Sequence, residues 1–104
     1  MNLKMDEKII CAAVWYKDLP TPVHGPVNID RGIVFSGHRH VHCMHQMVTI
    51  FGKRNYEAGE YIEGFLTNKN RFVDRVEGGV IAIESGQVNK LNYSSTKLFS
   101  EDLY

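Results

Sequence analysis

The segment His38–His45 concentrates the side chains that could bind a metal, because it holds four of the five histidines together with Cys43. Imidazole and thiolate are the ligands that zinc prefers. On a strand, alternate histidines would share one face, whereas on a helix His42 and His45 would not complete a tetrahedral set. The sequence contains no CxxC or HExxH pattern, and Arg39 would repel a dication. We therefore predict no metal site here and interpret these residues as polar histidines near the start of a helix.

The sequence offers no recognisable set of catalytic residues. It contains no GxSxG nucleophile elbow and no Walker or Rossmann glycine loop. Cys43 is near histidines in the sequence, but a nucleophile needs its base nearby in space. Three glutamates surround a candidate strand and indicate a solvated edge: Glu57, Glu60 and Glu63. We expect no enzymatic activity and no cofactor. The alternatives are a small phosphodiesterase or lyase that acts through the His38–His45 region, and a structural or host-interaction protein.

Several side chains have the chemistry that nucleotide binding requires, namely guanidinium groups for phosphate and flat rings for a base. Arg39 and His40 directly follow a candidate strand, and Gly64 leaves space beside the ring of Phe65. Three more residues flank a predicted helix start, where the helix dipole attracts anions: Arg71, Phe72 and Arg75. Taken one at a time, the phenylalanines are also typical of a core, and the arginines of a solvated surface.

Length and composition limit the class of protein. The chain has 104 residues, which fits a single domain over residues 1–104. Lys+Arg and Asp+Glu number 12 each, so the formal net charge is zero, which argues against a DNA-binding surface. Cys11 and Cys43 do not make a disulfide framework and are typical of a reducing cytosol. The longest apolar run, Ile9–Tyr16, is too short to span a membrane.

The strands and helices that must position these residues can be predicted from apolar runs and from the glycines and prolines that end them. The run Ile9–Tyr16 predicts a strand buried on both faces. Residues 32–37, bounded by glycines, predict a second strand antiparallel to the first. All three prolines lie between these strands, which predicts an ordered loop over 17–30. Residues 61–66 predict a third strand, and 67–70 its exit turn.

Two helices are predicted downstream of these strands. An apolar stripe indicates a helix that ends at Gly52, and it consists of Val41, Met44, Val48 and Phe51. The β-branched residues at 48–50 leave a strand as the alternative. Asp74 and Glu77 match a capping box that begins a second helix, closed by Gly86. This helix would turn an apolar face to the core: Val80, Ile81 and Ile83. The pair Gly78–Gly79 indicates close approach to another backbone or to a ligand, or a weak helix tolerated by packing.

Five short segments occur in a characteristic order: Ile9–Ala13; Gly37–His40 followed by Cys43; Glu63–Thr67; Asn70–Arg75; and Glu84–Gln87. This succession resembles the first Thoeris anti-defence family of small phage proteins. The resemblance spans nearly the whole chain, including the end at Phe99–Leu103. The stretch from Gly-Phe-Leu-Thr to Arg-Phe-Val-Asp-Arg is its specific part.

This resemblance implies an α+β fold, in which a small antiparallel sheet has two helices packed on it. It also implies a sponge, meaning a protein that binds cyclic ADP-ribose signals made by bacterial TIR-domain enzymes and does not cleave them. The partners would be a cyclic ADP-ribose isomer and further copies of the chain, as a dimer or a hexamer in the host cytoplasm. Family members are also described as taking up cyclic oligonucleotides at a separate site.

By position, the resemblance implies that Arg39 and Phe65 contact the ligand, with His40 and Arg75 in support. Phe72 and Trp15 complete the set of expected ligand-binding residues. Trp15 stands where related chains often place an Arg after the Ala-Ala strand, and the loop at 20–26 is longer than usual. An arginine, a stacking ring and a few polar groups suffice to bind a pyrophosphate and an adenine.

Overall fold

Four strands form one antiparallel sheet in this structure, a computed structural model that describes residues 6–104. They are β1 (Ile9–Tyr16), β2 (Ile33–Gly37), β3 (Tyr61–Thr67) and β4 (Phe72–Asp74), in the order β2-β1-β3-β4. The helices are α1 (His40–Phe51), α2 (Arg75–Glu84) and the short α3 (Ser100–Leu103), with a 3-10 turn at Asn55–Glu57. The α+β class, with two main helices on a small antiparallel sheet, is confirmed. No helix in the described range is long and apolar enough to cross a membrane.

Most predicted elements occur at their predicted places. β1 has the predicted bounds, and α1 is a helix rather than a strand, with Gly52 in the left-handed conformation at its end (φ 66°). Burial on both faces holds for most of β1 but not for Ile10, which is 57% exposed because β2 does not extend beside it. Residues 72–74, which the sequence assigned to the approach to α2, form the short strand β4.

One face of the sheet carries both main helices. Ala12, Val14 and Tyr16 alternate onto this face, and each is fully buried. Two groups of core residues cover them: Cys43 and Met47 of α1 pack near Val14 and Tyr16, while residues of α2 pack near Ala12.

The predicted apolar stripe of α1 is only partly the buried stripe. His40, Cys43 and Met47 are buried, whereas Val41 and Val48 are 51% and 39% exposed. The small side chain of Cys43 allows a close approach, with its Sγ 3.7 Å from the Ala12 carbonyl oxygen. The helix therefore turns His40 and Cys43 toward the sheet and leaves the two valines at the margin.

The paired glycines of α2 lie against other parts of the chain, as predicted. A Cβ at Gly78 would lie 3.1 Å from the Phe65 ring, and one at Gly79 would lie 3.0 Å from the Thr96 carbonyl oxygen. Both glycines are buried with Ile81 and Ala82. The predicted apolar face is therefore wrong for Val80 and Ile83, which are 52% and 40% exposed, because the glycine side of the helix packs inward instead.

The long loop between β1 and β2 crosses the opposite face of the sheet. Trp15 alternates onto this face and donates its indole N–H to the Arg31 carbonyl oxygen at 2.8 Å. Asn28 bonds the main chain of Phe72 in β4. Gly64 clears space for Phe72 rather than for Phe65, since a Cβ at Gly64 would lie 2.8 Å from the Phe72 ring and would also meet the Val73 carbonyl group.

Candidate functional site

The first residues of α1 and α2 meet beside one row of the sheet. Gly37, Ala12, Phe65 and Val73 are partners across the four strands. β2 and β4 therefore end near the same row, and the helices that follow them start close together. We call the group at this junction the helix-start cluster, and define it as Arg39, His40, Arg75, Ser100 and Tyr104.

His40 is the buried centre of this cluster. Its Nε2 lies 2.8 Å from the Gly64 carbonyl oxygen, and its Nδ1 lies 3.5 Å from Nη2 of Arg75. A guanidinium group can only donate, so Nδ1 accepts and Nε2 carries the proton. Burial lowers the pKa of His40, and the charge of Arg75 lowers it further, against the opposing effect of the Gly64 hydrogen bond. His40 is therefore a neutral positioning group.

Arg75, the first residue of α2, is engaged on several sides. It donates to the Leu98 carbonyl oxygen at 2.9 Å and to a carboxylate oxygen of Glu63 at 3.1 Å. Its guanidinium carbon also lies 4.4 Å from the centre of the Phe99 ring. Glu63, expected at a solvated edge, is partly exposed and also forms an ion pair with Arg75 across β3 and α2.

Arg39 is the cation of the cluster that is best placed for a ligand. It precedes α1, is partly exposed, and donates to the Ser100 hydroxyl at 3.0 Å and to the Tyr104 main-chain oxygen at 2.6 Å. Its guanidinium carbon lies 5.1 Å from the centre of the Tyr104 ring, on which the His38 ring stacks at 4.2 Å. Tyr104 is 44% exposed. A cation and two flat rings thus lie together near the surface.

The structure divides the six expected ligand-binding residues between two faces of the sheet. Arg39, His40, Phe65 and Arg75 come together on the helix face, where the His40 and Phe65 rings form a T-shaped contact with their centres 5.2 Å apart. Trp15 and Phe72 contact each other on the loop face, with ring centres 5.9 Å apart. A ligand bound to one copy of the chain therefore cannot touch both groups without crossing the sheet.

Phe65 belongs to the core, which corrects its expected role as a ligand contact. It is fully buried between β1 and α2 and packs with Ile81 and Leu98. Phe72 is likewise 5% exposed beneath the loop. Neither ring offers a free face for a base, because the residues around them fill both sides.

Arg71 was expected to help bind an anion near the start of α2, and the structure corrects this too. Its guanidinium group donates to both oxygens of Glu7 at 2.8 and 3.1 Å, and to Glu77 at 2.8 Å. The hydrogen bond from Arg71 is the main cause that holds the pKa of Glu7 below its usual value. Glu77 is thereby drawn away from the reciprocal bond of a capping box, although its N–H still donates to Asp74.

Of the other histidines, His42 and His45 lie on the exposed side of α1, His38 precedes this helix, and His24 lies in the long loop between β1 and β2. The rings of His38 and His42 stack with centres 6.4 Å apart, and His45 is exposed. Within residues 6–104, no three metal-ligating side chains come together. Burial raises the pKa of Cys43 to about 11, so this thiol stays protonated at neutral pH.

Sequence reasoning missed the contribution of the C-terminal segment. Ser100 and Tyr104 hold Arg39, and Leu98 and Phe99 hold Arg75. The only signal was the apolar pair Leu98–Phe99 in a polar tail. That pair indicated packing, but a pattern within the tail could not say against which element.

Comparison with family models gives a match between residues 8–104 and the family described as phage T4 y16D protein. Comparisons with curated proteins and with solved structures found no significant match.

Proposed function

Since the chain belongs to the phage T4 y16D protein family, we propose that it acts in the infected bacterium as a sponge for a nucleotide signal. The signal is a cyclic ADP-ribose isomer, which the protein holds without cleaving and thereby withholds from the TIR-based defence of the host. The proposal rests on the resemblance to the Thoeris anti-defence family, because membership in the phage T4 y16D protein family does not by itself state a ligand.

The observation that carries the proposal is the placement of Arg39 beside the rings of Tyr104 and His38. A guanidinium group binds pyrophosphate oxygens through charge-assisted hydrogen bonds. Ser100 and Tyr104 use two of its donors, which leaves others for a ligand. The exposed rings of His38 and Tyr104 place aromatic surface beside Arg39, which is the chemistry that was expected from Phe65.

The small size of the chain supports a site shared between copies. A 104-residue chain has little volume for a deep private pocket. We therefore include a homo-oligomer, a dimer or a hexamer, in the proposal. Uptake of cyclic oligonucleotides at a separate site remains part of it as a second ligand class.

Calorimetric titration with a panel of cyclic ADP-ribose isomers tests the role of Arg39. Arg39→Ala should weaken binding by roughly 1.5–3 kcal/mol, the range for hydrogen bonds to charged groups. Arg39→Lys should restore only part of this loss, because it keeps the charge but not the planar fork. Arg54→Ala removes an exposed arginine beyond the other end of α1 and should bind as wild type does. Wild-type affinity in Arg39→Ala, at an unchanged melting temperature, would end the claim for this residue.

A release experiment separates the sponge from an enzyme. The protein is incubated with the signal and heat-denatured, and the released compound is analysed by mass. We expect the intact signal in an amount that matches the protein sites. An altered product would favour the alternative of a phosphodiesterase or lyase that uses the exposed histidines of α1.

A further inference from the structure

At the outer edge of β2, the main-chain N–H and C=O of Val34 form no hydrogen bond to another described residue. The main-chain N–H of Lys17 donates to the main-chain oxygen of Glu60, which precedes β3. Because the main-chain groups of a strand alternate in direction, those of Trp15 and Ala13 also point toward β3, and those of the residues between them point toward β2. By the register of β1 and β2, the main-chain groups of Gly32, Val34 and Ser36 then point outward.

Side chains cover this edge on either side of Val34. The Thr21 hydroxyl accepts from the Gly32 N–H at 2.9 Å, and the Gln46 amide donates to the Ser36 carbonyl oxygen at 2.8 Å. The N–H and C=O of Val34 have no such partner among the described residues. A strand residue with both groups open is a template for a further partner.

Val34 also lines the wall of a pocket. The pocket has a volume of about 360 Å³ and lies between β2 and the proline-rich loop, with walls that include Pro22, Pro26 and Ile29. This volume is within the roughly 300–1,000 Å³ of small-molecule sites. The carboxamide of one side chain would fill only a small part of it.

The same sheet shows which chemistry fits such a main-chain pair. The Asn28 carboxamide accepts from the N–H of Phe72 at 2.8 Å and donates to its C=O at 2.7 Å. The Gln87 carboxamide does the same with Ile9, at 2.8 Å for both bonds. In both cases a flat acceptor–donor edge meets the N–H and C=O of a single residue.

We propose that this pocket binds an adenine base through the main chain of Val34. Adenine carries the acceptor N1 beside the donor N6, which is the same flat acceptor–donor edge on a ring system that fills more of the pocket than a carboxamide does. None of the residues of the helix-start cluster is among those that line this pocket. The pocket is therefore separate from the helix-start cluster, and the inference does not depend on the proposed function.

The wild-type protein tests this with a titration of AMP followed by the backbone amide signals in ¹⁵N NMR. We expect the Val34 amide to shift downfield and to saturate with the same affinity as the loop signals. N6,N6-dimethyl-AMP and purine riboside monophosphate lack the donor, and should bind about ten-fold more weakly, the weight of one hydrogen bond. Equal affinity for all three nucleotides overturns the proposal. So does saturation by nicotinamide, a free carboxamide, without any by AMP.

A proline substitution gives a second test, because proline is tolerated on an edge strand where its missing N–H faces outward. Val34→Pro should abolish the AMP response, while Ser36→Pro, which removes an outward N–H away from the pocket, should retain it. Arg39→Ala should also retain it. Loss in Arg39→Ala together with retention in Val34→Pro would place AMP at the helix-start cluster and refute this pocket. If Val34→Pro does not fold, the nucleotide series decides the question.

Discussion

At the scale of single residues, His40 shows how burial sets the charge of the helix-start cluster. The groups around its ring are the Gly64 carbonyl and the charged side chains of Arg75, Glu63 and Glu101. Desolvation outweighs the carboxylates and lowers the pKa of His40. A proton on Nδ1 would also remove the acceptor that faces Arg75 at 3.5 Å. The arrangement thus requires the neutral ring.

The lowered pKa of His40 gives stability a defined pH dependence. The unfolded chain takes up the proton first, near the ordinary value of 6.5, so protons favour unfolding below that pH. We expect the free energy of unfolding to be insensitive to this group above about pH 6.5, and to fall as the pH drops toward the lowered pKa of the folded state. Urea unfolding of wild type and of His40→Gln over a range of pH measures this dependence. The variant should lose the part of the slope of unfolding free energy against pH that His40 contributes. His45→Gln, at an exposed position, is the matched control and should keep it. An identical slope in all three proteins would contradict the prediction.

Residue type alone could not decide the role of Phe65. Its neighbour Gly64 predicted free space beside the Phe65 ring. Gly64 does leave space, but the Val73 carbonyl group of β4 and the Phe72 ring occupy that space. The space beside a residue is set by which strand pairs with it, and β4 was too short to be recognised from its own pattern. Arg39 was identifiable because it follows a glycine-bounded strand. Its partners Ser100 and Tyr104 were not, since they are distant in the sequence.

At the scale of elements, side-chain amides complete the sheet where strands are missing. Asn28 occupies the outer edge of β4, and Gln87 lies beside Ile9 where β2 does not reach. Each supplies the two hydrogen bonds that a neighbouring strand residue would make. These contacts also tie the long loop and the end of α2 to the sheet, so the loop is ordered without regular structure.

We predict that Asn28→Ala destabilises the protein by about 1–3 kcal/mol, because it leaves the N–H and C=O of Phe72 without partners. Asn28→Asp should also be destabilising, since it keeps the acceptor for the N–H but sets a carboxylate against the Phe72 carbonyl oxygen. Asn89→Ala, at an exposed asparagine, should change the unfolding free energy by less than about 0.5 kcal/mol. Chemical denaturation of the four proteins compares them. A stability of Asn28→Ala equal to that of Asn89→Ala would show that water replaces the amide at no cost.

The elements themselves were largely predictable, while their orientation was not. Proline, glycine and the capping residue Asp74 mark boundaries locally, and these boundaries occur at or within two residues of the predicted places; α2 ends at Glu84, with Ser85 rather than Gly86 as its C-cap. The buried side of a helix depends on what it packs against. Cys43 and the pair Gly78–Gly79 allow close approach to the sheet and the C-terminal segment, so their sides face inward although larger apolar residues lie beside them.

At the scale of the whole molecule, α2 presents an apolar surface to solvent, because its two glycines face inward and its larger apolar side chains face outward. Val76, Val80 and Ile83 are 47%, 52% and 40% exposed, and line one shallow groove with Leu91. Their spacing places them on one stripe of the helix. The zero formal net charge opposes association of identical chains only weakly. A stripe of this kind can pair with its own copy about a two-fold axis.

We therefore predict that the protein is a homo-oligomer and that α2 contributes to its interface. Light scattering at micromolar concentration should give the mass of a dimer or a larger assembly. Val80→Asp places a charge in the centre of the stripe and should shift the mass to that of a monomer, since burying an unpaired carboxylate is costly. Ile50→Asp introduces the same charge at a 66% exposed residue near the other end of α1, away from the helix-start cluster, and should leave the assembly intact. A monomeric wild type that still binds the signal would refute a site shared between copies. An oligomer unaffected by Val80→Asp would move the interface to another surface.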